Sequence, residues 1–283
     1  LTLLNYEVGS NNNNNQMRYV DVDNDASTWN SSSADLTFSS ENGALTSCTN
    51  IVFAGLYWTG KSAADNTTNS SNDFSVTKMI NGQSITKNFC KRKILLKGPN
   101  SNTYSEIIAN ENAIYYPNSS DAFIYSAYTE VTDYVRQHGV GTYFAADMAL
   151  TEGNGGGTGY SGGWGLVVIY ENEQMKHRDI SLFDGHAFVL NSNTIGYNLE
   201  ISGFHTVQTG NVGVKLGLMA SEGDAGLPGD YFQIQKNSDL SFMNLQHQQN
   251  AVDNFFNSSI NNSATRNPNL TNNTGIDIGL FEI

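Results

Sequence analysis

The chain has 283 residues, with 14 Lys and Arg against 27 Asp and Glu, for a formal net charge of −13 at pH 7. That balance argues against a binder of nucleic acid or anionic lipid, because phosphate neutralisation needs a basic patch and the few cations here are scattered. Charged residues are only 14 %, against roughly 25 % in an average soluble domain, so the surface must be wetted by neutral amides and hydroxyls, the 37 Asn foremost.

In chain order, period-2 and short apolar runs recur at Met17–Val22, Ile51–Trp58, Ile94–Lys97, Tyr143–Leu150, Gly165–Tyr170, Ile180–Phe183, Val212–Met219 and Tyr231–Ile234. Each is short and most have Asn, Ser, Gly or Asp close by, the pattern of strands separated by polar turns. Two segments read as short helices, Thr129–His138 and Asn250–Phe256. Neither supplies the regular βαβ alternation of a doubly wound enzyme. The expected fold is therefore all-β, an antiparallel β-sandwich or jelly-roll-like structure with one or two short helices.

One domain over residues 1–283 is expected, since β-sandwiches commonly reach this size as a unit. Polar loops are expected at Asn11–Asn15 and Asp65–Asp73, with insertions near 61–75 and 152–163. No internal repeat is visible, which excludes solenoids and propellers. No apolar run approaches the ~18 to 20 residues of a membrane helix, and Leu1–Ser10 has no signal-peptide pattern, so any export signal is expected to lie outside the sequence.

Asp21-Val22-Asp23-Asn24-Asp25 places three carboxylates at alternate positions. In an extended segment they share one side; in a loop they converge as the opening of a calcium loop does. Asp21, Asp23 and Asp25 are thus candidate Ca²⁺ ligands, with a solvated acidic turn as the alternative. Ala26 stands where an EF-hand has Gly and Ser32 where it has its bidentate Glu. Cys48 and Cys90 are the only cysteines and allow one disulfide, whose formation depends on a Cα separation that sequence does not supply.

Gly159-Tyr160-Ser161-Gly162-Gly163 matches the G-x-S-x-G nucleophile pattern but has glycines before it and a strand-like run after it, where an elbow needs a strand and then a helix. His138, His177, His186, His205 and His247 lack metal-site spacing. Tyr57, Trp58 and Trp164 suggest either a sugar-stacking platform or core aromatics between two sheets, the latter favoured because both Trp bound apolar runs. Glu171, Asp179 and Asp184 are the carboxylates a carbohydrate-active enzyme would draw on. Asn66-Thr67-Thr68 and Asn118-Ser119-Ser120 fit the glycosylation pattern, which 37 Asn produce easily by chance.

Three longer segments carry a resemblance: Met17 through Asp25 on to Leu36; Asn50 through Trp58; and Gly162 through Glu171 leading to Arg178-Asp179-Ile180-Ser181-Leu182-Phe183-Asp184-Gly185. With Asn254–Ser259, Arg266–Leu270 and Thr274–Ile278, they resemble the amino-terminal region of the very large flavobacterial cell-surface gliding-motility adhesins of the SprB type. The resemblance implies export by the Bacteroidota type IX secretion machinery, display on the outer cell surface, attachment or movement over surfaces, and a chain that continues beyond Ile283. It supplies no catalytic residue.

The expected function is a non-enzymatic extracellular adhesin domain, possible calcium apart without a cofactor, contacting surface glycans or other cell-surface proteins. Nucleic acid and direct membrane insertion are not expected. The alternatives are a self-associating structural subunit of an extracellular filament or pilus joined by strand exchange, and a carbohydrate-binding or carbohydrate-active protein.

Overall fold

The computed structural model describes residues 4–6, 15–62, 73–117, 123–189, 196–205, 209–210, 212–221, 223–236 and 238–283. The first part of the chain forms β1 (Leu4–Tyr6), β2 (Met17–Tyr19), β3 (Ser31–Leu36), β4 (Asn50–Lys61), β5 (Asp73–Ile80), β6 (Gln83–Cys90), β7 (Lys93–Lys97), β8 (Ser105–Ile108), β9 (Ile114–Tyr115) and β10 (Ile124–Glu130). Helix α1 (Thr132–His138), β11 (Gly141–Ala146) and β12 (Gly162–Glu171) complete it.

Two sheets dominate, one ordered β12-β4-β10-β9 and the other β17-β3-β11-β7-β8, with β17 (Arg266–Asn267) returning from the far end of the chain. Every pairing within them is antiparallel. Leu56, Trp58, Tyr125, Ala127 and Trp164 of the first sheet and Ile94, Leu96, Tyr143 and Ala145 of the second belong to one buried apolar cluster. Alternation sends every second residue of a strand inward, which is why short period-2 runs suffice to build this core. The all-β sandwich expected from the sequence is what forms.

The polar ends of the large core side chains are satisfied, as buried indoles and phenols require. Trp164 Nε1 donates to Ser32 Oγ at 2.9 Å, Trp58 Nε1 to the Lys91 carbonyl at 2.9 Å, and Tyr125 OH to the Ala149 carbonyl at 3.2 Å. Helix α1 closes one end, burying Val135, and stops where Gly139 adopts φ 68° and its N–H bonds the Val135 carbonyl.

Beyond Glu171 the next strand is β13 (Lys215–Ser221), followed by β14 (Gln233–Gln235), β15 (Phe242–Asn244), β16 (Ile260–Asn261) and β18 (Ile276–Glu282). They support a second, small cluster of Leu245, Phe255 and Phe281. Gly165 of β12 admits this part to the outer face of the first sheet, since a Cβ there would lie 2.7 Å from Met219 Sδ.

Two predicted elements do not form. Asn250–Phe256 holds turns and isolated bridges in place of a helix. One backbone donor of the segment goes elsewhere: Asp230 Oδ1 takes the Phe256 N–H at 2.6 Å, while just past the segment Asp277 takes those of Asn257, Ser258 and Ser259 at 3.1, 3.1 and 2.9 Å. Ile180–Phe183 is no strand either, and it enters no ladder among the described residues. The remaining runs coincide with strands, with shifted ends. Of the predicted loops and glycosylation triplets, residues 11–14, 63–72 and 118–122 lie outside the described residues.

Candidate functional site

One feature stands out from the sandwich: the β5–β6 hairpin. Its two-residue connection, Asn81 (φ 51°) and Gly82 (φ 78°), puts both central residues at positive φ, the condition for a turn whose twist matches its strands. Asn-Gly is the residue pair that tolerates this best. At the base Phe74 and Phe89 are buried, stacked at 5.9 Å, and Phe89 meets the edge of Trp29 at 6.1 Å.

Two lysines brace the same face. Lys78 Nζ lies 2.6 Å from Glu152 Oε2 and 4.0 Å over the Tyr19 ring. Lys87 Nζ contacts Asp147 Oδ2 and donates to the Ser27 carbonyl at 2.6 Å. The register then leaves Ser75 opposite Asn88, Thr77 opposite Thr86 and Met79 opposite Ser84 on the other face, all six exposed. Ser75 Oγ donates to Asn88 Oδ1 at 2.7 Å and the two Thr hydroxyls bond at 2.8 Å. The outcome is a braced ribbon presenting a row of uncharged hydroxyls and an amide, flanked by one methionine.

Lys87 also joins this ribbon to the acidic turn. Asp21 Oδ1 accepts from Ser31 Oγ at 2.7 Å; Asp23 Oδ1 accepts from the Asp25 N–H at 2.8 Å, and Asp23 Oδ2 from Tyr104 OH. Asp25 Oδ1 accepts from the Ser27 N–H and hydroxyl at 2.9 and 2.7 Å. Burial raises the Asp21 pKa, whereas the Ser27 hydrogen bonds lower that of Asp25. Each carboxylate therefore has at least one protein donor. Among the described residues no three His, Cys, Asp or Glu side chains converge as a metal-binding group.

The structure divides the aromatic trio. Trp58 and Trp164 are buried core residues, while Tyr57 is half-exposed, stacked on Tyr128 at 4.8 Å, its hydroxyl donating to Asp184 Oδ2 at 3.3 Å. Cys48 and Cys90 are free thiols in this structure, without the disulfide whose formation the sequence left open. Cys48 is exposed in a short turn before β4, and Cys90 ends β6 opposite Asp73, where burial and that carboxylate raise its pKa.

Ser161 is buried, and a strand, β12, begins at the next residue, so no elbow forms. The histidines serve separate local contacts: His138 with the Pro99 carbonyl at 3.1 Å, His186 stacked on Tyr115 at 5.1 Å, His205 with Asp179 at 3.1 Å, and His247 accepting from the Gln249 N–H at 3.3 Å; His177 is exposed. Glu171 accepts from Asn50 at 2.9 Å, while Asp179 and Asp184 take their donors from His205 and Tyr57. A groove of about 540 Å³ beside α1 is lined by Glu106, Glu130 and Asp133 among others. Its carboxylates are bound to Lys93, Thr132 and Arg136 at 2.8, 2.7 and 3.1 Å.

Sequence reasoning missed the hairpin, although Asn81-Gly82 between two alternating runs was its signal. Comparison with known protein families, with curated proteins and with solved structures yields no match.

Proposed function

We propose that this chain is a non-enzymatic extracellular adhesin domain, exported by the type IX route and displayed on the outer cell surface, in keeping with the resemblance of its longer segments to SprB-type adhesins. The observation that supports it best is the braced hairpin. A contact element must be held rigidly before it meets its target, because ordering it on binding costs affinity. The Phe74–Phe89 anchor and the Lys78 and Lys87 ion pairs supply that rigidity. The row Ser75, Thr77, Thr86 and Asn88 offers neutral donors and acceptors suited to glycans or other uncharged polar surfaces.

A glycan array probed with the full chain, paired with a Thr77→Val/Thr86→Val variant, tests this reading. Valine keeps the strand preference and removes both hydroxyls. Binding that falls at least about tenfold in the variant, with an unchanged melting temperature, supports adhesion through this face. Equal binding by variant and wild type, or turnover of any arrayed glycan, overturns the proposal.

A further inference from the structure

Each main sheet has an open edge beside α1, and one groove separates the two. In the second sheet β8 is the last strand and pairs only with β7 among the described residues. In the first, β9 pairs with Ser126 and Ala127 alone, so Tyr128, Thr129 and Glu130 have no strand on that side among the described residues. The groove is lined by residues 106–108 on one wall and 129–134 on the other. Side chains of a strand alternate between faces, so three consecutive β8 residues line one groove only where it follows the edge of the strand.

The ladder fixes which backbone groups that edge offers. The Ala109 N–H bonds the Arg92 carbonyl directly opposite it at 2.8 Å. Hydrogen-bonded and non-bonded pairs alternate along an antiparallel ladder, so Ile107 bonds Ile94, while Glu106 and Ile108 turn their N–H and C=O groups outward. Those groups meet no partner among the described residues. Two residues apart, they lie ~7 Å from one another, the spacing at which an added strand presents its own.

Charge selects the guest. Glu106, Glu130 and Asp133 line the groove; Lys93 and Arg136 pair with the first and last, while Glu130 has the Thr132 hydroxyl and no cation among the described residues. Ion pairs at such exposed carboxylates are worth little and exchange readily. The net charge of −13 repels a second copy, and all 14 Lys and Arg of this chain already lie among its described residues. We infer that the groove docks an extended, Lys- or Arg-bearing segment of another protein, which adds a strand to β8 and sets its cation between Glu106 and Glu130. The volume of about 540 Å³ is that of a ligand site. Main-chain bonds to the edge supply affinity and the carboxylates supply specificity. This site is separate from the hairpin and stands without the adhesive reading.

NMR titration of the nitrogen-15-labelled full chain with acetyl-Thr-Val-Lys-Val-Thr-amide, to about 5 mM, reads both place and affinity. Signals of residues 106–108 and 129–134 shift, with a Kd below about 1 mM. Replacing the peptide lysine by glutamine, or the protein's Glu106→Gln and Glu130→Gln together, weakens binding at least about fivefold. Glutamine keeps an acceptor for Thr132, so the melting temperature stays unchanged. Ile108→Pro removes one outward N–H at an edge position that tolerates proline, and weakens binding by a similar factor; should that variant melt early, the glutamate pair decides. No shift at these residues, equal affinity of the glutamine peptide, or an affinity that either folded variant leaves unchanged overturns the inference. So do shifts at the same residues from cellopentaose in place of the peptide. The glycan-array comparison of Thr77→Val/Thr86→Val is unaffected by any of these outcomes.

Discussion

Lys91 offers the sharpest test of the core. Its side chain is fully buried, and its Nζ has no hydrogen-bond partner among the described residues; only the rings of Tyr116 and Tyr125 lie near, at 5.4 and 5.7 Å. Burial pushes its pKa down from 10.5 to about 8. Below pH 8 the folded protein holds a charged ammonium that water would solvate better, a cost of about 3 kcal/mol at ~1.4 kcal/mol per tenfold change in protonation. The two rings return about 1 kcal/mol through cation–π attraction.

Lys91→Met keeps the stem and removes the charge, so the variant is expected to be more stable at pH 7 by about 2 kcal/mol, or ~4 °C or more in melting temperature. Between pH 8 and 10.5 the unfolded chain holds the Lys91 proton and the folded chain does not, so wild-type stability gains on the variant across that window. The gap should narrow above pH 8 by up to about 1.4 kcal/mol per pH unit and close near about pH 9.5. Thermal and urea denaturation of both proteins from pH 7 to 10.5 measures it, and the tyrosine titrations common to both cancel. A variant less stable than wild type at pH 7, or a gap that stays constant with pH, refutes the reasoning.

Further outcomes follow from the same geometry. Trp164→Phe leaves the buried Ser32 hydroxyl without its indole partner and is expected to cost about 1 to 3 kcal/mol in urea denaturation. Gly162→Ala would set a Cβ 2.3 Å from Leu150 Cδ2, inside the fully buried Leu150 contact, at a cost of about 1 to 3 kcal/mol by the same measurement. Asp277, whose pKa burial raises to about 7, binds its proton in the folded chain before the unfolded one does. Its contribution to stability is therefore full below about pH 4 and lost as pH rises through 7; Asp277→Asn should flatten that part of the stability profile. At the acidic turn the Ser27, Thr28, Ser31 and Tyr104 donors already engage the carboxylates, so EDTA should leave the melting temperature unchanged; a fall of several degrees would show a bound cation instead.

The acidic turn was visible in the sequence as three carboxylates, but their partners were not. Ser31 and Tyr104 reach Asp21 and Asp23 from 10 and 81 residues away, respectively. The hairpin was also there to be read, yet its exposed face alternates polar residues that hydrophobic periodicity discounts, and only the Asn81-Gly82 turn marked it. Strand β3 was hidden for the same reason: Ser31, Ser32 and Ser33 are buried because the Ser31 and Ser32 hydroxyls and the strand's backbone find partners inside, not because they are apolar.

From its residues alone the chain declared an all-β architecture, a core built around Trp58 and Trp164, and a surface of neutral amides, since each depends on local alternation and composition. Tertiary structure decided what depends on distant partners. Asp230 captured the Phe256 N–H that a helix at 250–256 needs, and the free thiols of Cys48 and Cys90 were set by where their strands and turns came to lie. Lys91 sank into an aromatic pocket and Ile180–Phe183 found no strand partner among the described residues, for the same cause. A side chain's burial and a strand's partner are properties of the assembled sheets, and no window of sequence contains both sides of such a contact.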